Sequence, residues 1–98
     1  MAFFTVVDII NGNTIQVQPG WVWGNSKGDL VQINGYKLSS QYDSFAKNKL
    51  ITLIKGKQIE LKNATVVSKD SNNIEVIFCS VFLNEIDVSQ YFPELKSA

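Results

Sequence analysis

Apolar and polar residues alternate over the first third of the chain in a way that predicts short β-strands. The segment Asn11-Gly12-Asn13 has turn composition and lies between two extended stretches, so these residues predict a β-hairpin. Pro19-Gly20 interrupts the second stretch, and residues 24–29 have the composition of an exposed turn. Three strands are predicted in this part of the chain: residues 4–10, residues 14–18 with the extended pattern resuming at 21–23, and residues 30–34.

The hydrophobic period changes after Asp43. Apolar residues then recur at the spacing of one helix face, at Ala46, Leu50, Leu53 and Ile54. This spacing predicts an amphipathic helix that ends near Gly56.

Strand composition returns after the helix, over residues 58–67 and 74–83, with a polar turn over 68–73 between them. A short helix is predicted over 88–92, and it is expected to end there because Pro93 follows. Three strands, a helix and two more strands is the element order of an OB-fold, a small five-stranded barrel, here with one capping helix. We therefore predict a β-dominated fold with a helical component.

Composition limits both the number of domains and the chemistry. The chain has 98 residues of which 45% are apolar, and this predicts one domain over residues 1–98. Nine acidic residues balance nine basic ones, so net charge does not attract the chain to nucleic acid or to an anionic membrane. All the basic residues are Lys. Because the chain has no Arg and no His, it has neither a guanidinium group for bidentate anion binding nor an imidazole for proton transfer near neutral pH. We expect no cofactor.

Cys79 lies in an apolar run and has no second Cys to pair with, so we expect a buried, inert thiol. The first apolar run has no basic flank and is interrupted by Asp8, which is untypical of a signal peptide or a spanning helix. These features predict a cytoplasmic protein without a membrane partner. A domain cut from a longer or exported protein would have the same sequence features.

Four segments carry a family resemblance by their order and spacing: residues 7–15 (Val-Asp-Ile-Ile-Asn-Gly-Asn-Thr-Ile), 31–40 (Val-Gln-Ile-Asn-Gly-Tyr-Lys-Leu-Ser-Ser), 46–61 and 81–89. Together they resemble the staphylococcal nuclease (thermonuclease, SNase-like) family over nearly the whole chain. The resemblance implies a five-stranded OB-fold barrel of SNase-like type, with one main capping helix and a short C-terminal helix.

The family's chemistry needs carboxylates that hold a calcium ion, a Glu that activates water and two Arg that clamp the phosphate. The matching positions here are Asn11 and Asn13 for the hairpin acids, Gln32 for the first Arg, Lys37 for a metal-binding Asp and Ser40 for the general base. The second Arg has no counterpart. The resemblance therefore implies a catalytically degenerate member that is not an enzyme and binds no metal.

Trp21 and Trp23 lie two residues apart in an extended segment, which would place both rings on one face. Such a pair forms a stacking platform for bases in barrels that bind single strands. The alternative is that the rings fold over the barrel as packing. Tyr36 and Lys37 fall at the family's substrate groove and are further candidates for anion binding, with ordinary packing of Tyr36 as the alternative.

The remaining charged residues give weaker signals. Several Lys cluster around the helix and the next strand, where a phosphate backbone or solvent could face them: Lys47, Lys49, Lys55, Lys57 and Lys62. Four Asp could be combined into a substitute metal site but lack diagnostic spacing, and scattered surface acids are the alternative: Asp8, Asp29, Asp43 and Asp87.

These observations favour a non-catalytic module that binds a protein or single-stranded nucleic acid through the degenerate groove and the Trp-bearing hairpin. One alternative is a divergent nuclease with relocated catalytic groups, which a carboxylate cluster at one barrel mouth would favour. Another is a structural domain that associates with itself, which a large exposed apolar patch near Trp21 would favour.

Overall fold

The computed structural model describes residues 3–36, 38, 40–69 and 73–93 of the chain. Its elements in chain order are β1 (Phe3–Asn11), β2 (Thr14–Trp23), β3 (Ser26–Ile33), a first 3₁₀ helix (Ser40–Tyr42), α1 (Asp43–Ile54), β4 (Gln58–Lys69), β5 (Glu75–Leu83), β6 (Ile86–Asp87) and a second 3₁₀ helix (Val88–Tyr91). The predicted turn over 68–73 lies partly outside the described residues, because these exclude 70–72.

Five strands close into a barrel. β1 pairs antiparallel with β2 and with β4, β2 with β3, and β4 with β5. A parallel pairing of β3 with β5, from Leu30 opposite Val76 to Ile33 opposite Cys79, completes the ring. The short β6 adds to β5 outside it. The predicted fold class is confirmed: a β-dominated chain with a closed five-stranded barrel and one main helix, compatible with an OB-fold.

The barrel interior is built from alternating apolar side chains, as period-two strands require. On β5, Cys79, Val81 and Leu83 are buried while the residues between them are only half-buried. Cys79 is a free thiol, and burial raises its pKa to about 12, so it stays protonated and unreactive near neutral pH. The prediction that this thiol is buried is confirmed.

The predicted helix is confirmed as α1, which packs against β1. Its buried residues, Ala46, Leu50 and Ile54, follow the predicted spacing. Gly56 lies just past its end with φ of 81°, where a residue with a Cβ would be strained, and its N–H donates to the Val6 carbonyl at 2.7 Å. The helix is thereby tied at its C-terminal end to β1.

Two predicted strand boundaries are wrong. β2 does not end before Pro19 but continues to Trp23, with a register shift between Gln16 and Trp21 where Pro19 lacks a donor. β3 begins at Ser26, not at residue 30, because Trp23 pairs with Ser26 across a two-residue turn. Polar residues in a two-stranded ribbon have the same composition as a loop. The hydrophobic pattern of the sequence therefore did not predict that β2 and β3 extend this far.

The chain after β5 turns back through Asn84 and Glu85, which have φ of 52° and 70°. This tight turn pairs Leu83 with Ile86 and forms β6, which the sequence analysis did not predict. The predicted short C-terminal helix is present as the 3₁₀ helix Val88–Tyr91, where the Asp87 carboxylate accepts the Ser89 N–H at 2.9 Å. None of the helices among the described residues is long and apolar enough to cross a membrane.

Candidate functional site

The turn between β1 and β2 is held against the helix by hydrogen bonds on both sides of Gly12. Asp43 at the start of α1 accepts the Gly12 N–H at 2.9 Å, and the Tyr36 hydroxyl donates to the Gly12 carbonyl at 2.7 Å. A Cβ on Gly12 would lie 2.8 Å from Leu38 and 2.9 Å from the Ala46 Cβ, so only glycine fits at this distance. The barrel mouth formed by these residues is therefore closely packed.

Tyr36 is a packing residue at this mouth. It is 9% exposed, and its ring stacks on Phe92 with centroids 4.6 Å apart and planes 18° apart. Burial raises the pKa of its phenol, so the hydroxyl stays a hydrogen-bond donor to Gly12. The Lys49 ammonium lies 4.9 Å from the centroid of the Phe92 ring, the ring on which Tyr36 stacks. The packing alternative describes Tyr36 better than the anion-binding one.

Three of the degenerate positions lie together at the β1–β2 turn and the adjacent end of β3. The Asn11 side-chain oxygen accepts the Asn13 N–H at 3.0 Å, and the Asn13 side-chain oxygen accepts the Thr14 hydroxyl at 3.2 Å. Gln32 is paired with Thr14 across β2 and β3. The side-chain oxygens of Asn11 and Asn13 are therefore engaged in local hydrogen bonds of the turn. Ser40 is exposed at the start of the first 3₁₀ helix, and Lys37 lies outside the described residues.

The pair of Trp rings does not form the stacking platform suggested by their spacing. Trp21 is 2% exposed, and its indole N–H donates to the Leu30 carbonyl at 2.8 Å, so its faces are covered by the barrel. Trp23 is 42% exposed beyond the end of the barrel. Trp21 continues the inward alternation of Ile15 and Val17, whereas Trp23 lies beyond the end of the barrel, so a spacing of two residues does not give two accessible rings.

The end of the β2–β3 hairpin, residues 22–27, is called the hairpin tip below. Val22 is 74% exposed there, next to Trp23, and the two side chains alternate between the faces of the ribbon. A shallow cavity of about 550 Å³ lies beside the hairpin tip, lined by Val17, Gln18, Gly20, Trp21, Val22, Lys27, Gly28 and Asp29. The hairpin tip combines exposed apolar side chains with the cation Lys27, and Asp29 lines the cavity beside it.

The other candidate charged residues lie apart. Asp29 accepts the Gln16 amide at 2.8 Å and Asp8 accepts the Ile9 N–H at 2.9 Å, each a local interaction on its own strand pair. No three His, Cys, Asp or Glu side chains within the described residues are grouped as metal ligands would be. Among the Lys residues, Lys62 lies 4.8 Å from the Phe82 ring centroid.

A second cavity, of about 500 Å³, lies on the outside of the barrel around Glu60. The sequence analysis singled out none of its residues. The one sequence signal is that Glu60 stands between Ile59 and Leu61 at the start of β4, and a single Glu in a strand indicates nothing specific without the neighbouring strands.

Comparisons with known proteins found no matching family model, no matching curated protein and no matching solved structure.

Proposed function

We propose that this chain is a non-catalytic binding module with an SNase-like OB-fold, and that the hairpin tip contacts a protein partner. The observation that carries the proposal is the exposure of the neighbouring residues Val22 and Trp23, one on each face, at the end of the β2–β3 ribbon. Trp is among the residues that most often anchor protein interfaces, because it buries a large apolar area at little cost in side-chain entropy.

A non-catalytic role is supported by the chemistry of the mouth. The chain has no Arg and no His, so neither a phosphate clamp nor an imidazole base is present in any alignment of the sequence with the nuclease family. The side chains that do lie at the mouth bind each other and the backbone, as Asp43 and Tyr36 do at Gly12. A divergent nuclease with relocated groups is the runner-up function.

A protein ligand is favoured over single-stranded nucleic acid by burial and charge. Stacking of successive bases needs at least two accessible rings in a basic groove, and Trp21 is buried. The net charge is zero, and the ammonium groups of Lys49 and Lys62 lie over aromatic rings of the chain itself. Since nine acidic residues balance the nine Lys, the chain has no excess of positive charge with which to replace the counterions of a phosphate backbone.

Site-specific photo-crosslinking tests the proposal in the cells that make the protein. A photoreactive amino acid at position 22 is expected to give a discrete adduct with a second protein, identified by mass spectrometry. The matched control places the same group at Thr52, an exposed polar position on α1, and is expected to give no such adduct. Equal labelling from both positions would contradict a specific contact at the hairpin tip.

The mass of the adduct separates the alternatives. An adduct of twice the chain mass would indicate self-association, and one removed by nuclease treatment would indicate a nucleic-acid ligand. Once the partner is identified, Trp23→Ala is expected to weaken binding of the chain to that partner by about 2 kcal/mol or more, as removal of an interface anchor does. Tyr42→Ala is the control, because Tyr42 is an aromatic residue of similar exposure (41%) on the first 3₁₀ helix.

A further inference from the structure

Two phenylalanines flank a glutamate in one row across three neighbouring strands. Phe3 on β1 is paired with Glu60 on β4, and Glu60 is paired with Phe82 on β5. Side chains of directly paired residues lie on the same face with Cβ atoms about 5 Å apart. Ile59 points into the core and is 1% exposed, so the row faces outward. The cavity over this row has a volume of about 500 Å³ and is lined by Phe3, Gln58, Glu60, Phe82, Asn84 and Glu85.

Glu60 lines this cavity with a largely buried side chain. It is 8% exposed, and within the described residues its carboxylate makes no hydrogen bond and no ion pair. No completely buried side-chain oxygen in that part of the chain lacks a partner, so the Glu60 oxygens must open onto the cavity. A largely desolvated carboxylate without a partner costs free energy, which a bound cation would offset.

The other lining residues indicate what kind of cation fits. Within the described residues no three Asp, Glu, His or Cys side chains are grouped as metal ligands would be, whereas the faces of the two lining phenyl rings attract organic cations and cover apolar stems. The Lys62 ammonium lies 4.8 Å from the Phe82 ring centroid, so this ring accommodates a cation and Lys62 is a competitor for it. Phe3 is 55% exposed on the opposite side of Glu60, and Glu85 adds a second negative charge at the rim.

We propose that the cavity around Glu60 is a binding site for an organic cation with an apolar stem, namely a primary alkylammonium or a guanidinium group. The head group binds the Glu60 carboxylate, and the stem lies between Phe3 and Phe82. Two sources can supply this chemistry, a Lys or Arg side chain of a partner protein and a free amine. The site goes beyond the proposed contact at the hairpin tip and depends on none of its residues.

Chemical-shift titration of the isotope-labelled chain tests the proposal. The probes are butylammonium, a blocked lysine and a blocked arginine, with butanol and blocked norleucine as uncharged controls. Saturable shifts are expected at the amides of Phe3, Glu60, Phe82 and Glu85 for the cations only. Equal shifts with the uncharged controls, or none with any cation, would overturn the proposal.

Variants identify the group that binds the charge. Glu60→Gln keeps the size of the side chain and is expected to weaken cation binding by about tenfold or more, since a hydrogen bond to a charged group is lost. Glu75→Gln removes the same charge at a distant site, where Glu75 accepts the Lys27 N–H, and is expected to leave binding unchanged. Lys62→Gln removes a neighbouring competitor and is expected to strengthen binding. Unchanged affinity in Glu60→Gln would overturn the assignment.

Two further measurements complete the test. Glu60→Gln is expected to melt at or above the temperature of the parent chain, so a loss of binding will not reflect unfolding. Tighter binding of the blocked amino acids than of butylammonium would identify a protein side chain as the source, and the reverse a free amine. Trp23→Ala is expected to leave this binding unchanged, so failure of the hairpin proposal can be distinguished from failure of this one.

Discussion

Replacing Tyr36 by Phe removes one hydroxyl and leaves the ring that stacks on Phe92. The hydroxyl donates to the Gly12 carbonyl at 2.7 Å in a buried environment, and Gly12 cannot move toward another donor because Leu38 and Ala46 surround it. A buried acceptor left without its donor costs about 1 to 3 kcal/mol. For a domain of this size each kcal/mol lowers the melting temperature by roughly 4 to 8 °C.

Thermal and urea unfolding followed by circular dichroism measure this loss, with Tyr36→Ala as the reference. Tyr36→Ala also removes the stacked ring and is expected to cost about 3 to 5 kcal/mol, as other removals of large buried aromatic side chains do. The difference between the two variants separates the hydrogen bond from the packing. A Tyr36→Phe variant as stable as the parent, to within roughly 0.5 kcal/mol, would refute the reasoning, because it would mean that the Gly12 carbonyl has another donor.

A double-mutant cycle with Asp43→Ala extends the test. Asp43 and Tyr36 bind opposite sides of the same glycine, so their effects on the free energy of unfolding should not be additive. Additive losses would indicate that the two hydrogen bonds form independently of one another.

Three other predictions follow from the same structure. Stability should fall above about pH 9, because burial raises the pKa of Cys79 from its ordinary value of 9.0 to about 12 and the unfolded thiol ionises first; Cys79→Ala should flatten this decline in a pH series of urea midpoints. Gly35→Ala should destabilise by more than about 1 kcal/mol, since φ is 112° and the new Cβ would lie 2.5 Å from Ser89; a melting temperature equal to the parent's would contradict this. Millimolar calcium should leave the melting temperature unchanged, because Asn11 and Asn13 carry no charge; a rise of several degrees absent with magnesium would reveal an oxygen-lined site.

The helix and most strands could be predicted because their signals are local. The spacing of Ala46, Leu50 and Ile54 corresponds directly to one buried helix face, and the alternation along β5 corresponds to one barrel wall. The β2–β3 ribbon could not be predicted in the same way. Ser26 and Lys27, on its two faces, are both polar, with Ser26 half-buried and Lys27 exposed, so no hydrophobic period indicates a strand there.

The candidate site depended on contacts that no local pattern contains. The two Trp differ in exposure because the barrel covers Trp21 and ends before Trp23, and the burial of Tyr36 follows from its contact with Phe92, which lies far away in the chain. Glu60 gains its surroundings from Phe3 and Phe82, which belong to two other strands. Pairing across strands therefore decided which polar and aromatic side chains are available to a ligand.

Restoring three of the four acids of the nuclease pattern, with Lys37 left in place, gives a final test of the non-catalytic role. The triple variant Asn11→Asp, Asn13→Asp, Ser40→Glu supplies two hairpin carboxylates and a general base at the positions the resemblance indicates. We expect no calcium-dependent hydrolysis of single-stranded DNA, because Gln32 cannot stabilise the charge that develops on the phosphate and the chain contains no Arg to do so. Loss of a single such donor costs about a hundredfold or more in rate, and the parts of one catalytic unit do not act independently. The assay follows cleavage of a labelled oligonucleotide, with a chelator as control. Chelator-sensitive cleavage by the triple variant would contradict the reasoning, because it would show that charge neutralisation at this barrel mouth does not depend on a guanidinium group.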